Sequence, residues 1–436
     1  MDRIRGQAAA QLMLTTTQRE WFEQASAKVN ATDLTQILID LINIASPTGE
    51  EGNLARAVVS RLGAKGIDSQ EQRIDERQSN VVGRLAGAGA RPSLLLYSPL
   101  DTVTVGTDTE DLPWAADRLH PEMLPTAVVH DGHVLGLGAQ NPKGHAACVI
   151  AAFAAIAEAR IPLSGTLQLG LGAGGMPTNA RPNMRPGSGH GAGCTWMLQQ
   201  AELPDYALIA KSGWAVSWEE VGLAWYEVKV PGTHTYVGSR HLLPYSNAIV
   251  RAGRVVEALE AWFPEWTQQN TSGLVAPQGV VSFIQAGWER MPAFTPAVCR
   301  FVIDLRLSPR TQIEEADAAI SLKLGQIAGA LGFPIECQRI LQIAGTSTDP
   351  NSDIIQAAID AWQEIEGRPH RPLTGMSGAT DANILRSFGI PTARIGLPKV
   401  NLPDTDFQRG MNAVKVDDMV KLTHHLIHTA IAVCTA

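Results

Sequence analysis

The sequence lacks the features that mark membrane proteins and nucleic-acid-binding proteins. No segment contains the roughly 18 consecutive apolar residues that a membrane-spanning helix needs. Lysine and arginine are scattered along the chain, and the formal net charge of the 436 residues is −8. This balance argues against nucleic acid or an anionic membrane as a partner. We therefore expect a cytoplasmic protein that binds neither.

Cysteine is also scarce. The five cysteines are odd in number and have no paired spacing, so we expect reduced thiols that are mostly buried as small apolar side chains. Residues 1–14 combine basic and apolar side chains, but the polar segment that follows offers no cleavage region. We interpret this stretch as an additional N-terminal helix and not as a signal peptide.

The first part of the chain has the pattern of a parallel sheet covered by helices. Residues 80–85, 93–97 and 165–172 read as strands, and an alanine-rich helix is predicted at 144–158. Strand, helix and strand in this order indicate a βαβ domain. A chain of this length is expected to form two domains, because single cores rarely exceed about 250–300 residues.

The pattern changes near residue 213. The elements that follow have β-α-β-β-α order and lie at 222–230, 247–262, 279–285, 297–307 and 313–331. This order predicts a small α+β domain inserted into the larger one. We expect three segments: 1–213 as the first part of the catalytic-type domain, 214–340 as the insertion, and 341–436 as the second part.

Two segments look like the halves of one metal site. Residues 94–103, LLLYSPLDTV, read as a buried strand that ends in Asp-Thr-Val, and residues 136–144, GLGAQNPKG, read as a glycine-rich turn before a helix. They resemble the paired metal-binding loops of the zinc amidohydrolases grouped with aminoacylase, acetylornithine deacetylase and succinyl-diaminopimelate desuccinylase, which form peptidase family M20. In that family the loops read Gly-His-x-Asp-x-Val and Gly-x-x-Asp-x-Lys-Gly.

Further matches follow in the family's order at residues 46–51, 80–82, 232–234, 247–249, 304–306, 377–382 and 389–391. The resemblance implies an α/β fold, with a zinc-peptidase-like three-layer catalytic domain and an inserted α+β, ferredoxin-like sandwich. Relatives often dimerise through the insertion by pairing of sheet edges. We therefore expect a homodimer, with residues 222–230 as the candidate pairing strand.

The departures from the family pattern concern the metal. The family holds two zinc ions with five ligands beside a glutamate base, and the alignment puts other residues at these positions: Pro99, Asn141, Gly174, Gly175, Lys211 and, near the last ligand, Arg409. Zinc needs about four nitrogen, sulfur or oxygen donors. Asp101 is kept, where the family counterpart only orients a ligand. We therefore predict no metal and no other cofactor at this site.

The replacements suggest a different chemistry. If Lys211, Arg409 and Lys143 line the cleft, the site is cationic and favours a carboxylate ligand or a developing oxyanion. A lysine among cations and apolar walls can also become a base or a nucleophile. In the alternative interpretation, Lys211 and Arg409 fill vacated volume and pair with Asp101 or Asp381.

His234 is the histidine that we favour for function. The resemblance gives its counterpart a role in the partner subunit's active site, and the glycine-rich turn around it does not look like a helix face. A structural histidine is the alternative. The predicted catalytic residues are thus Lys211, His234, Asp101 and Arg409.

A second set of residues is expected to bind the substrate: Asn141, Lys143, His145, Asn247, Arg306, Ser377, Thr380 and Asp381. For three of them a structural role is the alternative. Lys143 could hold loop carbonyls, His145 could point into a helix interface, and Asp381 could cap a helix at 382–388. The acidic run at 108–111 is expected to be a solvated loop, and the loop at 176–194, with His190, either a lid or a plain surface loop.

Three functions remain open from the sequence. The first is a metal-independent hydrolase or lyase that acts on a small carboxylate-bearing amide or imide. The second is a non-catalytic relative that binds a ligand or a partner, because hydrolysis without a base is hard to arrange. The third is a metallohydrolase with relocated ligands drawn from Asp101, His133, His145, His190 and Cys194.

Overall fold

The computed structural model describes residues 14–200, 202–211, 213–400 and 409–436, with only the backbone described at residue 409. The N-terminal helix predicted at 1–14 lies, apart from its last residue, outside these ranges. The described chain forms two compact units. The first contains the residues up to Trp218 together with Thr348–Leu373 and Thr380–Ala436, and the second contains Glu219–Ser347 and Thr374–Ala379.

The α-helices of the described residues are α1 (Thr16–Ser26), α2 (Ala31–Ile42), α3 (Gly52–Ala64), α4 (Asp108–Asp111), α5 (Lys143–Glu158), α6 (Ala192–Gln200), α7 (Ala248–Asn270), α8 (Ile313–Leu331), α9 (Asp353–Glu366), α10 (Ala382–Ser387) and α11 (Val416–Cys434). None of these helices is long and apolar enough to cross a membrane.

The strands are β1 (Ser69–Arg73), β2 (Ser79–Leu85), β3 (Leu94–Pro99), β4 (Val128–His130), β5 (His133–Leu135), β6 (Leu167–Gly172), β7 (Tyr206–Ala210), β8 (Glu219–Glu220), β9 (Gly222–Pro231), β10 (Gly279–Ala286), β11 (Val298–Leu307), β12 (Glu336–Ile343), β13 (Thr346–Ser347), β14 (Thr392–Ile395) and β15 (Ala413–Lys415).

The first unit is built on a six-stranded sheet with the order β1-β2-β6-β3-β7-β14. The strands β6, β3, β7 and β14 run parallel, and β1 and β2 are antiparallel additions. Every residue of β3 is buried, as expected for a central strand covered on both faces. Helix α5 is apolar nearly all round because it packs inside the unit, where it contacts α2 and α11. The carboxyl ends of the parallel strands therefore meet at one edge, where ligands of open α/β sheets bind.

The second unit is an antiparallel sheet with the order β10-β11-β9-β12, covered on one face by α7 and α8. Side chains alternate along β11, so that Phe301, Ile303 and Leu305 face the helices. Helix α7 continues beyond the predicted end at residue 262, and buried Trp266 carries its apolar face past Pro264.

One prediction about this sheet is wrong. The strand at 222–230 was expected to pair across a dimer, but β9 is hydrogen-bonded to β11 on one side and to β12 on the other. It is an interior strand, and the edges of the sheet are β10 and β12. Alternation of apolar and polar residues tells which faces of a strand are wet, but not whether the strand is central.

Candidate active site

The candidate site lies where three parallel strands of the first unit end. Strand β3 ends at Pro99, opposite Gly172 at the end of β6, and β7 ends at Ala210. The loops that leave these ends carry Asp101, the segment 173–176 and Lys211. Because the strands are neighbours, these residues come from distant parts of the sequence to one place.

Asp101 is fully buried and fastens the loop after β6. Its carboxylate accepts hydrogen bonds from Thr48 Oγ1 at 2.6 Å, from the Gly175 amide at 2.7 Å and from the Met176 amide at 3.1 Å. Burial raises the pKa of this carboxyl group, while the hydrogen bond from Thr48 and the charge of Lys211 act against that rise. The structure therefore uses Asp101 to position the loop at 174–176.

A second buried carboxyl group, that of Glu51, serves the same loop. Its Oε1 atom accepts hydrogen bonds from the Gly49 amide at 3.0 Å and the Gly174 amide at 2.8 Å. Burial, and next the negative charge of Asp101, raise the pKa of Glu51 to about 8. Glu51 therefore keeps its proton to a higher pH than an ordinary glutamate. Sequence reasoning treated Glu51 only as part of a motif, because the sequence does not reveal which of two adjacent glutamates is buried.

The two glycines of this loop leave no room for side chains. Gly174 has a φ of +62°, and a Cβ atom there would overlap the carbonyl oxygen of Ser188. A Cβ atom on Gly175 would lie 2.5 Å from Cβ of Pro99 and 2.7 Å from Oδ2 of Asp381. The volume in which the resemblance would put the two glutamates is therefore occupied by other atoms.

Asp381 is the carboxylate that fills part of this volume. The Tyr97 hydroxyl donates a hydrogen bond to its Oδ2 atom at 2.6 Å, and a Cβ atom on Gly191 would lie 2.8 Å from its Oδ1 atom. The alternative role as a helix cap is wrong, because the side chain makes no capping hydrogen bond to α10. Thr380 is the neighbour that contributes there, since its Oγ1 atom accepts from the Ala382 amide at 3.1 Å.

Lys211 is 7% exposed and lies beside the same loop. Its Nζ atom is 3.7 Å from the sulfur of Met176, and its charge is among the influences that lower the pKa of Asp101. The structure thus brings Lys211 and Asp101 together, as the sequence analysis expected of residues at one site.

Two predicted substrate contacts turn inward. Lys143 is fully buried and donates from Nζ to the carbonyl of Ile44 at 2.8 Å, and burial lowers its pKa to about 7. His145 accepts from the Leu397 amide at 3.0 Å, and burial, followed by the charges of Lys211 and Arg394, lowers its pKa to about 3. Both side chains hold backbone segments in place, which corrects their assignment as substrate contacts.

Four predicted residues belong to the second unit, where they make local contacts. Asn247 caps α7 through the Ile249 amide, and Ser377 accepts from the Gln278 amide at 3.1 Å. Arg306 forms a two-point ion pair with Asp304, with both distances 2.8 Å. These contacts are structural, and the assignment of Asn247, Arg306 and Ser377 to substrate binding has no support within their unit.

His234, the fourth of these residues, is exposed in the second unit. Its Nδ1 atom lies 2.9 Å from the carbonyl of Thr295, and its ring stacks on Phe294 with centroids 5.1 Å apart. The stacking fixes the ring and leaves its other edge facing outward. The side chain of Arg409, the last predicted catalytic residue, lies outside the described part of the chain.

The donor set does not fit a dinuclear zinc centre. Pro99, Gly174 and Gly175 offer no side-chain donor, Lys211 is a cation, and Asn141 supplies only a neutral amide. Among the described residues, no group of three or more histidine, cysteine, aspartate or glutamate side chains could hold a metal ion. The alternative set of relocated metal ligands forms no such group among the described residues either. Of its members, Cys194 is buried in α6, whereas His133 lies in β5 with its Nδ1 atom against the carbonyl of Asp131.

A cleft of about 430 Å³ opens in the first unit next to these loops. Its wall contains Thr102 and Met176, which directly follow the loop residues described above, together with Asn141 and Trp114. Asn141 is 9% exposed, and its Oδ1 atom is buried without a hydrogen-bond partner. Trp114 is 81% exposed. Sequence reasoning named Asn141 but missed Trp114, because an isolated tryptophan in a loop carries no motif.

The acidic residues of this wall are already bonded. Glu110 forms a two-point ion pair with Arg181, with both distances 2.8 Å, and this hydrogen bonding lowers the pKa of Glu110. Asp111 is buried and accepts from the amides of Val105, Gly106 and Thr107. The prediction of a solvated loop at 108–111 is therefore wrong for Asp111, whose carboxylate organises the loop in front of it.

The comparisons with known proteins agree with the resemblance. A sequence model of the peptidase family M20/M25/M40 matches residues 95–431. The succinyl-diaminopimelate desuccinylase of Methylobacterium nodulans is 26% identical over 378 residues, which are 82% of this chain and 86% of the relative.

Two solved structures show the fold. Human carnosine dipeptidase 1 has a TM-score of 0.70 at 11% identity, covering 96% of this chain and 99% of that one. A dinuclear metal-binding peptidase of family M20 from Bacillus subtilis has a TM-score of 0.59 at 14% identity, covering 93% and 98%.

Proposed function

The chain belongs to peptidase family M20/M25/M40, and on that premise we propose that it is a metal-independent hydrolase or lyase acting on a small carboxylate-bearing amide or imide. Membership of this family supports an amidohydrolase- or peptidase-like function. The proposal adds that the reaction runs without the dinuclear centre named for the Bacillus subtilis relative.

One observation carries the proposal. The place for a side chain at residue 175 is taken by Pro99 and Asp381, so that even a glutamate introduced there would find no space. A site that had only lost its ligands would leave a cavity, whereas this volume is packed. The packing supports a site that works in its present form.

In this proposal the chain's own residues do the chemistry. Lys211, buried beside Met176, whose side chain lines the cleft, stabilises the negative charge that develops on the carbonyl oxygen, which in a water-poor site is worth about 10²–10³ in rate. Asp101 holds the loop at 174–176, and the charge of Lys211 opposes the rise that burial causes in the pKa of Asp101. His234 and Arg409 complete the proposed catalytic set. We also propose a homodimer that uses the second unit, whose edge strand β10 exposes Phe283 and Ile284.

The test measures metal content and turnover together. The purified full chain is assayed by elemental analysis, and amide hydrolysis is followed with a panel of N-acyl amino acids with and without excess chelator. We expect unchanged turnover in chelator and a loss of about 100-fold in kcat for Lys211→Met. Lys323→Met, a change of the same type in α8 of the other unit, should keep full activity. Loss of activity on chelation would overturn the proposal.

A non-catalytic ligand-binding protein is the second candidate. It is favoured by Gly174, which stands at the position that the resemblance gives to the base, because a glycine there has no side chain that can remove a proton from water. Tight binding of N-acyl amino acids without turnover across the panel would decide for this candidate. Elution of the chain as a monomer at all concentrations in light scattering would contradict the proposed homodimer.

A further inference from the structure

We propose that the cleft around Trp114 and Asn141 binds an uncharged group of aromatic size, and that the acyl part of the substrate is such a group. This inference rests on the proposed function in one respect, which is that the cleft beside the loop at 174–176 is the ligand site. It goes further by naming what occupies the cleft. The carboxylate of the substrate must then lie outside it.

The charges of the wall argue for an uncharged occupant. Glu110 is neutralised by Arg181, and Asp111 is bonded to three backbone amides. No lining residue in the described part of the chain is a lysine, arginine or histidine. Against the described wall, an anionic acyl group would lose its hydration without gaining an ionic partner, which is unfavourable. A cationic group would have to compete with Arg181 for Glu110.

The walls argue for an aromatic group. The indole of Trp114 is 81% exposed, so one large flat surface is available for stacking. Three methionines, Met123, Met176 and Met411, form part of the remaining wall. Methionine side chains adapt to irregular shapes and contact aromatic rings favourably. A volume of about 430 Å³ is within the range of small-molecule sites.

Asn141 specifies one polar contact next to the apolar group. Its side chain lines the cleft and is 9% exposed, and its Oδ1 atom has no partner. The two edges of an asparagine amide exchange by a rotation about one broad torsion, so either edge can face a ligand. An amide bond that joins directly to an aromatic ring offers both an N–H and a C=O next to that ring. A benzamide-type group satisfies the requirements of charge, shape and hydrogen bonding together.

The experiment uses three probes that share a glycine carboxylate and differ in the acyl group: N-benzoylglycine, N-acetylglycine and N-succinylglycine. Binding to the full chain is measured by calorimetry. We expect N-benzoylglycine to bind at least about tenfold more tightly than either of the others. Trp114→Ala should remove this preference, and Asn141→Ala should weaken the binding of N-benzoylglycine about fivefold. Trp288→Ala removes another exposed tryptophan, which lies in the second unit and is 50% exposed, and should change nothing. Circular dichroism checks that each variant is folded.

Equal binding of the three probes, including no measurable binding of any, overturns the inference. So does a preference for N-succinylglycine, or a benzoyl preference that survives in Trp114→Ala. The inference and the proposed function fail separately. A benzoyl preference without turnover keeps the inference and removes the enzyme, whereas turnover in chelator without a benzoyl preference keeps the enzyme and removes the inference.

Discussion

Two neighbouring regions of the first unit have opposite packing. Around Pro99, Gly175 and Asp381 the atoms are so close that a single added carbon would collide. One residue further along the same loop, at Met176, the walls separate around a cleft of about 430 Å³. The difference teaches that the dense packing at the positions where the resemblance puts metal ligands is local. The same loop is closed at Gly175 and borders an open cleft at Met176.

The largest effect on the free energy of unfolding is expected from a substitution that places a side chain in the closed region around Gly175. Gly175→Glu puts a side chain where Pro99 and Asp381 lie, and we expect it to lower the free energy of unfolding by at least about 3 kcal/mol or to prevent folding. Gly63→Glu is the matched control, since nothing lies within 4 Å of a Cβ atom there. Urea denaturation compares the two. A Gly175→Glu variant as stable as its control would show that the region is not closed.

Asp101→Asn tests what holds the loop between the two regions. The carboxylate accepts hydrogen bonds from one hydroxyl and two amides, and an asparagine must face at least one of these donors with its own N–H. We expect a loss of about 2 kcal/mol in stability, together with a weakened benzoyl preference because Met176 shifts. Asp117→Asn, at a side chain that is 89% exposed, should stay within about 0.5 kcal/mol of the parent.

The raised pKa of Glu51 predicts how the stability of the folded chain depends on pH. Its pKa is raised in the folded chain to about 8 from 4.5, so the folded state binds the proton more tightly than the unfolded state. This contribution to stability is present below pH 4.5 and is lost as the pH rises towards 8, by up to about 1.4 kcal/mol per pH unit. Urea midpoints of the parent should fall over this range, and those of Glu51→Gln should fall less. Identical slopes would contradict the raised pKa.

The smallest effect on stability is expected at the open region. Arg181→Ala breaks an ion pair that is partly exposed, so the free energy of unfolding should change by less than about 1 kcal/mol. The freed carboxylate of Glu110 should nevertheless weaken the binding of N-benzoylglycine, since it adds an unpaired negative charge to the wall of the cleft. Arg185→Ala, in the same loop but paired with Asp75, should leave binding unchanged. Equal loss in both variants would mean that the loop as a whole matters and not the charge.

The fold could be predicted because its signals are local. The alanine-rich pattern that predicted a helix at 144–158 corresponds to α5, and the apolar run at 93–97 corresponds to β3. Strand order is a different matter. The alternating pattern of β9 was interpreted as an edge strand, but pairing on both sides depends on β12, whose polar sequence, ECQRILQI, gave no strand signal.

The site could be predicted only where a motif pointed to it. Asp101 and Lys211 were found because the resemblance assigned positions to them, and the structure brings them to one loop. Asn247 and Lys143 were over-interpreted, because a polar side chain in a motif can equally serve a helix end or a carbonyl. Asp111 and Glu51 were missed, since the sequence does not reveal which acidic residues are buried.

The contact of Gly175 with Pro99 and Asp381 also governs how this chain can evolve. A glutamate at residue 175 would cause a folding defect before it could serve any reaction, because its side chain has no space beside Pro99 and Asp381. Residues that line the open cleft at Met176 have more room for change. Selection can therefore reshape the cleft while residue 175 stays a glycine.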